Sequence, residues 1–424
     1  MSALDPYVAT KNLVSLRGEL LTVGHLRFDL SRRGNIYVLG AGKATFPIAK
    51  ALEEILGERI TEGLIIVKKG QDGTLERIKI RRAAHPMPDR EGLDAAKEVK
   101  RIAERAQDND IVFCAITGGS SALMPLPVSN ITLEEKRQIN ELLLASGATI
   151  REINAVRKHL SNIKGGKLAL SIFPAEIVNL TVSDVIEDPL DYITGPTVPD
   201  TSTFSEAISV LEKYDLWDKF PKSAMHYLRN TTPELETPKD FGEFESRAHS
   251  FILIKSGIVC EAAAEKAREL GFKPLILTTA LEGESREVGI VFAGIAKEIE
   301  HNNRPLPPPC AIIAGGETTV KIDNKCGEGG PNQEFALSAA SRLASYDKVT
   351  VAALDTDGTD GPTDIAGGLI DSSTIKRAKE NNLNIFKHLS EHDASAVLLP
   401  LSDAIVTGST GTNANDLKIL LVDR

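Results

Sequence analysis

Short apolar runs rich in β-branched residues recur along the chain with helix-length segments between them, and this alternation constrains the fold most tightly. The runs are NIYVLG (35–40), GLIIVK (63–68), DIVFCAIT (110–117), EIVNLTVS (176–183), SFILIK (250–255), KPLILTT (273–279), CAIIAGG (310–316), KVTVAAL (348–354) and DAIVTG (403–408). A strand that is apolar at consecutive positions is covered on both faces, and segments such as FPIAKALEEILG and SREVGIVFAGIAKEIEHN supply helical cover. The expectation is an α/β fold on parallel sheet with helices on both faces. One helix start is marked by Thr132 and Glu135, which form a capping box, with Gly147 as its stop.

At 424 residues the chain exceeds one ordinary core. The polar, proline-bearing stretch 229–245 marks a boundary, and HNNRPLPPPC (301–310) is a second, stiffer connector. Two α/β domains are expected, 1–235 and 236–424, with the cleft between them as the ligand site. The net charge of −10 argues against a nucleic-acid partner, which needs a basic footprint. None of the four cysteines sits in a C-x-x-C pair, so neither a zinc site nor a disulfide framework is expected. No apolar run reaches membrane-span length, and the first residues lack a signal-peptide pattern. The expectation is a cytoplasmic protein without a membrane partner. A homodimer is compatible with such a chain.

The stretch Leu354–Asp371, LDTDGTDGPTDIAGGLID, holds five aspartates, four glycines and no lysine or arginine. Crowded carboxylates repel one another and call for a cation, and hard oxygen ligands suit Mg²⁺ or Ca²⁺. The EF-hand pattern fails, because its sixth and twelfth positions fall on Asp360 and Ala366. Asp355, Asp357 and Asp360 are therefore the expected ligands of a phosphate-associated metal, against the alternative of a plain aspartate–glycine turn.

Other glycine-rich turns also follow strands, where α/β sheets gather their ligands. Gly40-Ala41-Gly42-Lys43 can bring backbone N–H groups and a lysine to an anion, although neither the P-loop nor the full G-x-G-x-x-G pattern is present. Thr117-Gly118-Gly119-Ser120-Ser121 suits anion binding; G-x-S-x-G fails at Ala122, and no partner histidine for Ser120 is evident. Arg151–Lys167 reverses the local charge, and Arg157 with Lys158 can clamp a phosphate or carboxylate, while His159 is read as structural. Asp184, Asp188 and Asp191 follow a strand and can act as general base or metal ligand. Glu317, Asn332, Gln333, Asn413 and Asp416 lie in two more such turns.

Taken together, GAGKA, HPMPD (85–89), TGGSSAL, EINAVRKHLSNIKGGKLA, SDVIEDP, GGETTV, NQEFAL, DTDGTDGPTD and TGSTGTNANDL resemble the glycerate 2-kinase family over nearly the whole chain. The resemblance implies a Rossmann-like N-terminal domain and a C-terminal domain containing a MOFRL region at about 310–416. It implies Mg²⁺-dependent transfer of the ATP γ-phosphoryl group to the 2-hydroxyl of D-glycerate, giving 2-phosphoglycerate and ADP between the domains. It further implies that Lys43 is essential. Many relatives carry GGRNQE where this chain has Pro331. The expected catalytic residues are Lys43, Asp184 and Asp188. Ser120, Ser121, Asn154, Arg157 and Lys158 are expected at the substrate. Gly40, Gly42, Gly118, Gly119, Lys164, Glu317, Asn332, Asn413 and Asp416 are expected at the nucleotide. Two competing readings are a hydroxypyruvate reductase, which predicts a complete dinucleotide fingerprint, and a non-catalytic sugar-phosphate sensor, which has no use for the aspartate cluster.

Overall fold

The structure, a computed structural model, describes residues 4–183, 189–193, 195–322, 326–408 and 410–424. It divides into two compact units, the first containing residues 5–183 and 189–253 and the second containing Leu4 and residues 254–424. The change comes beyond the polar stretch 229–245, because the strand Ala248–Ile254 joins the first sheet as its edge.

The first unit is built on six strands in the spatial order Ile78–Ala83, Ile60–Lys68, Ile36–Ala41, Ile111–Ile116, Glu176–Val182 and Ala248–Ile254. The first five run parallel. Every residue of Ile36–Ala41 and Ile111–Ile116 is buried, as expected for strands covered on both sides. Leu39, Leu64, Val112 and Cys114 pack against Leu93, Ala96 and Val99 of the helix Arg90–Ala103, while Thr45–Leu56 packs on the same strands without joining that cluster. The sequence-adjacent strands Ile36–Ala41 and Ile60–Lys68 lead outward one way, and Ile111–Ile116 starts the opposite way. The strand order therefore reverses between Ile36–Ala41 and Ile111–Ile116, the position where open α/β sheets place ligands.

Four helices, Leu133–Ala145, Ile150–His159, Phe204–Lys213 and Lys222–Arg229, form a separate apolar cluster in this unit. The first three start with complete capping boxes, at Thr132–Glu135, Thr149–Glu152 and Thr203–Glu206.

The second unit departs from an all-parallel sheet. Its strands run Lys273–Leu281, Cys310–Gly316, Asp416–Val422, Val349–Asp355, Gly367–Asp371 and Ala404–Ile405, and only the first pair is parallel. Asp416–Val422, unrecognised as a strand from the sequence, is inserted antiparallel between Cys310–Gly316 and Val349–Asp355. The reason is visible in burial: Asp416–Val422 and Val349–Asp355 alternate buried and half-buried residues, so one face of the sheet is less covered there. Ser285–Asn302 and Pro331–Leu343 build the larger core on one face, and Ser256–Glu269 covers Ala311 and Ile313 on the other. No helix among the described residues is long and apolar enough to cross a membrane.

Candidate functional site

Each unit collects chemistry at one end of its sheet. In the first, the strands at the reversal point end in two interlocked turns. Thr117 N–H donates to Ala41 O at 3.0 Å, Lys43 N–H to Gly118 O at 2.9 Å, and Ala44 N–H to Thr117 Oγ1 at 3.1 Å. This interlock requires glycine at Gly42, whose φ is 142° and whose added Cβ would lie 2.1 Å from Thr117 Oγ1. Gly40 is equally constrained, since a Cβ added there would lie 2.7 Å from Ala115 O. Lys43 is thereby fixed on the turn at the end of Ile36–Ala41, half-buried, with its side chain close to Gly119.

The second turn continues through Ser120 to Ser121, both half-buried. Ser121 Oγ accepts from Lys164 Nζ. Lys136 and Arg157 surround Lys164, and burial followed by these like charges holds the Lys164 pKa well below the usual lysine value. Arg157 is lowered by burial and donates to Asn140 Oδ1 at 3.0 Å. Among the described residues, no carboxylate makes an ion pair with Lys136, Arg157 or Lys164. Asn154 lies on the same helix as Arg157, half-buried.

Lys158 behaves differently from its neighbour. Its ammonium lies 2.9 Å from both Asp191 Oδ2 and Asp200 Oδ1, all three residues being buried. Burial opposes its charge, but Asp200 and Asp191 outweigh burial and raise its pKa. Asp200 also accepts from Thr237 Oγ1 at 2.9 Å, and Glu236 meets His159 Nε2 at 2.7 Å. Lys158 and Asp191 thus serve a buried network that ties the helices together, which leaves Arg157 alone of the expected clamp. Asp184 and Asp188 lie outside the described residues.

Two residues near these turns were not anticipated. His85 Nε2 is 3.1 Å from the point where a Gly119 side chain would begin, and burial followed by the charges of Lys43 and Lys68 lowers its pKa. Its only sequence signal was the HPMPD motif. Lys136, on Leu133–Ala145, is 5% exposed, and nothing in LEEKRQ marks it as the buried cation.

In the second unit, Gly316, Asp416 and Asp355 stand side by side in register across three strands. Asp355 and Asp416 border a cavity of about 300 Å³ lined also by Glu317, Thr318, Pro331, Asp360 and Asn413, among others. Five of the expected residues, from three separate turns, meet there. Asn332 lies beneath, donating to Asp360 Oδ1 at 3.1 Å and to Asp416 Oδ1 at 2.8 Å. The lining contains no lysine or arginine among the described residues. The nearest cation in this network is Lys418, buried, 2.5 Å from Asp416 Oδ2.

Burial, then the charges of Asp357, Asp416 and Asp360, pushes the Asp355 carboxyl up to about 7, against one N–H bond from Asp357. Asp360 is also raised by burial, yet its oxygens accept the N–H groups of Asn332 and Gln333 at 3.0 and 2.9 Å. It caps the helix Pro331–Leu343, a role the loop sequence did not suggest. Asp357 Oδ1 is engaged by Thr359 and is not part of the lining. Among the described residues, no three His, Cys, Asp or Glu side chains are arranged to hold a metal ion by themselves. The expected triple of Asp355, Asp357 and Asp360 is therefore not brought together as one ligand set.

Two family models match the chain: a domain of unknown function, DUF4147, over residues 1–229, and the MOFRL family over 310–416. A glycerate 2-kinase of Pyrococcus horikoshii is 44% identical over 424 residues, covering 100% of this chain and 94% of that protein. A protein of Agrobacterium vitis named putative hydroxypyruvate reductase is 39% identical, covering 92% of this chain and 88% of its own. The crystal structure of a glycerate kinase from Thermotoga maritima superposes with a TM-score of 0.87 at 38% identity, covering 99% of this chain and 96% of that one.

Proposed function

The chain belongs to the glycerate kinase family, and from that premise we propose that it transfers the γ-phosphoryl group of ATP to the 2-hydroxyl of D-glycerate, giving 2-phosphoglycerate and ADP. The observation that carries the reading is the pair of interlocked turns in the first unit. One end of the turn Thr117–Ser121 meets Lys43, and the other meets a cation cluster with no acid paired to it among the described residues. Phosphoryl transfer needs positioning and positive charge more than covalent chemistry. Lys43 neutralises charge that develops on the transferred group. Arg157 and Lys164 take the carboxylate of the acceptor, with Ser120 and Ser121 as neutral donors beside them.

The cavity of the second unit suits a nucleotide only together with a cation, because a polyphosphate facing Asp355, Asp416 and Glu317 alone is repelled. Mg²⁺ commonly uses one or two carboxylates and completes its shell with phosphate oxygens and water. Asp355, held beside Asp416 and raised by burial and by the charges around it, fits that demand. The ion would supply charge neutralisation at the phosphates. Asn413 and Thr318 offer donors and acceptors for the rest of the nucleotide.

The reductase reading draws on the name of the Agrobacterium vitis relative. It requires an acid near the end of the second strand to hold a ribose. Here Ile60–Lys68 ends in Lys68 and continues to Lys69, which pairs with Asp89 at 2.7 Å. The test is ³¹P NMR of the protein with ATP, Mg²⁺ and D-glycerate. A phosphomonoester at C2 is expected. A 3-phosphoglycerate signal overturns the regiochemistry, and no transfer with NADH-dependent loss of hydroxypyruvate replaces the kinase with the reductase.

A further inference from the structure

We propose that Lys136 is the third cation of a carboxylate seat, with Arg157 and Lys164, that holds the acid group of the acceptor hydroxy acid. The inference rests on the kinase reading and extends it to a residue that no sequence motif marks.

Three features of Lys136 work against the folded protein in the absence of a ligand. Its side chain is 5% exposed, so its ammonium has lost most of its water. It sits in the opening turn of the helix Leu133–Ala145, where the helix dipole disfavours a cation. Its neighbours in charge are Arg157 and Lys164, and none of the described carboxylates pairs with any of the three. A lysine buried for packing alone is ordinarily matched by an acid, as Lys158 is matched by Asp191 and Asp200 one residue along from Arg157. The same helical layer therefore contains one neutralised lysine and one that is not.

A bound carboxylate offsets these penalties. It supplies the missing countercharge, accepts from an ammonium and a guanidinium, and leaves Ser121 to continue the turn toward Gly119 and Lys43. Burial and the charge of Arg157 lower the Lys136 pKa to about 8, which agrees with an ammonium held against its preference. The acceptor's hydroxyl is then placed on the side of the turn where Lys43 stands.

Calorimetric titration of the full protein with D-glycerate, together with urea unfolding in the absence of ligand, tests the seat. Lys136→Met is expected to raise the Kd for D-glycerate about 10- to 100-fold, the usual range for a lost charge-assisted hydrogen bond. The same variant is expected to unfold at higher urea than wild type, since an uncompensated buried charge is gone. Lys136→Arg, which keeps the charge, should stay within about tenfold of wild-type affinity. ATP affinity should not change in either variant. An unchanged Kd for D-glycerate, a lowered urea midpoint, or loss of folding in Lys136→Met overturns the proposal and makes Lys136 a structural lysine. Weaker binding of inorganic phosphate with unchanged D-glycerate binding also overturns it, as the seat then takes a phosphate. Failure of the wild type to phosphorylate D-glycerate is a separate result and removes the kinase reading itself.

Discussion

The two units gather opposite charges by different means. In the first, cations crowd at the ends of parallel strands: Lys43 on one turn, and Lys136, Arg157 and Lys164 around the next. In the second, carboxylates crowd at the ends of a mixed sheet, where Asp355 and Asp416 are direct neighbours and Lys418 is the nearby cation. Lys136, Arg157 and Lys164 on one side, and Asp355 on the other, are held against burial and like charges and are relieved by a ligand of the opposite sign. The first therefore invites an acid, and the second invites a metal ion with phosphates attached. An imbalance of this kind identifies a ligand better than any single turn does, since one glycine-rich loop is common and a desolvated cluster weighted to one sign is not.

The comparison breaks most visibly at Lys43. Lys43→Met should lower kcat by about a thousandfold, as expected for a group that acts on transition-state charge, with little change in the Kd for D-glycerate. Steady-state kinetics beside calorimetry separates the two effects, and a loss confined to KM would move Lys43 to ground-state binding. Lys158→Met probes the neutralised lysine of the same unit. Removing one member of a buried ion pair leaves Asp191 and Asp200 uncompensated, so a loss of about 3–5 kcal/mol in urea unfolding is expected. The opposite signs expected for Lys158→Met and Lys136→Met are the sharpest contrast within the first unit.

Asp355→Asn tests the acidic side. The KM for Mg·ATP should rise about 10- to 100-fold through loss of a charged ligand. The pH dependence has a definite sign. The Asp355 carboxyl titrates near 7 in the folded protein and near 4 when unfolded, so the folded state holds the extra proton between those values. Stability of the metal-free protein should thus fall as pH rises from about 4 to 7, by on the order of 2–4 kcal/mol. Asp355→Asn should flatten that slope, and urea midpoints at intervals across the range measure it. A slope that survives the substitution assigns the proton elsewhere. The smallest effect is expected from Pro331→Arg, which installs an arginine at the first position of the helix Pro331–Leu343. It adds one positive charge to an acidic lining, and nucleotide affinity should improve by no more than about tenfold.

Much of the fold could be read from residues alone, for reasons that also explain the omissions. Runs such as IVFCAI are apolar at every position because both faces are covered, and they were recognised. IKIRRA (78–83) is a sheet edge interrupted by Lys79, Arg81 and Arg82, and LKILLV (417–422) is covered unevenly, so neither stood out. Gly40 and Gly42 were legible because a close backbone approach leaves a glycine in the sequence. The state of Lys158 was not, because its acids arrive from 33 and 42 residues away. Asp360 carried the same ambiguity: its aspartate-rich neighbourhood suggested a metal, while its partners Asn332 and Gln333 come from another turn. Lys136 lies in LEEKRQ, a segment that reads as a solvated helix start until packing encloses it.

The placement of Asp416–Val422 has a consequence for how the protein is made. This strand bridges Cys310–Gly316 and Val349–Asp355, yet it follows both in the chain. A nascent polypeptide that has not yet extended to Asp416 presents two pieces of sheet, each with an unpaired edge ready to join another strand. The first unit needs no residue of that segment and can close while synthesis continues. The second remains open to mispairing until its central strand emerges, so premature termination or slow elongation just before Asp416 should be the step at which this chain is most prone to aggregate.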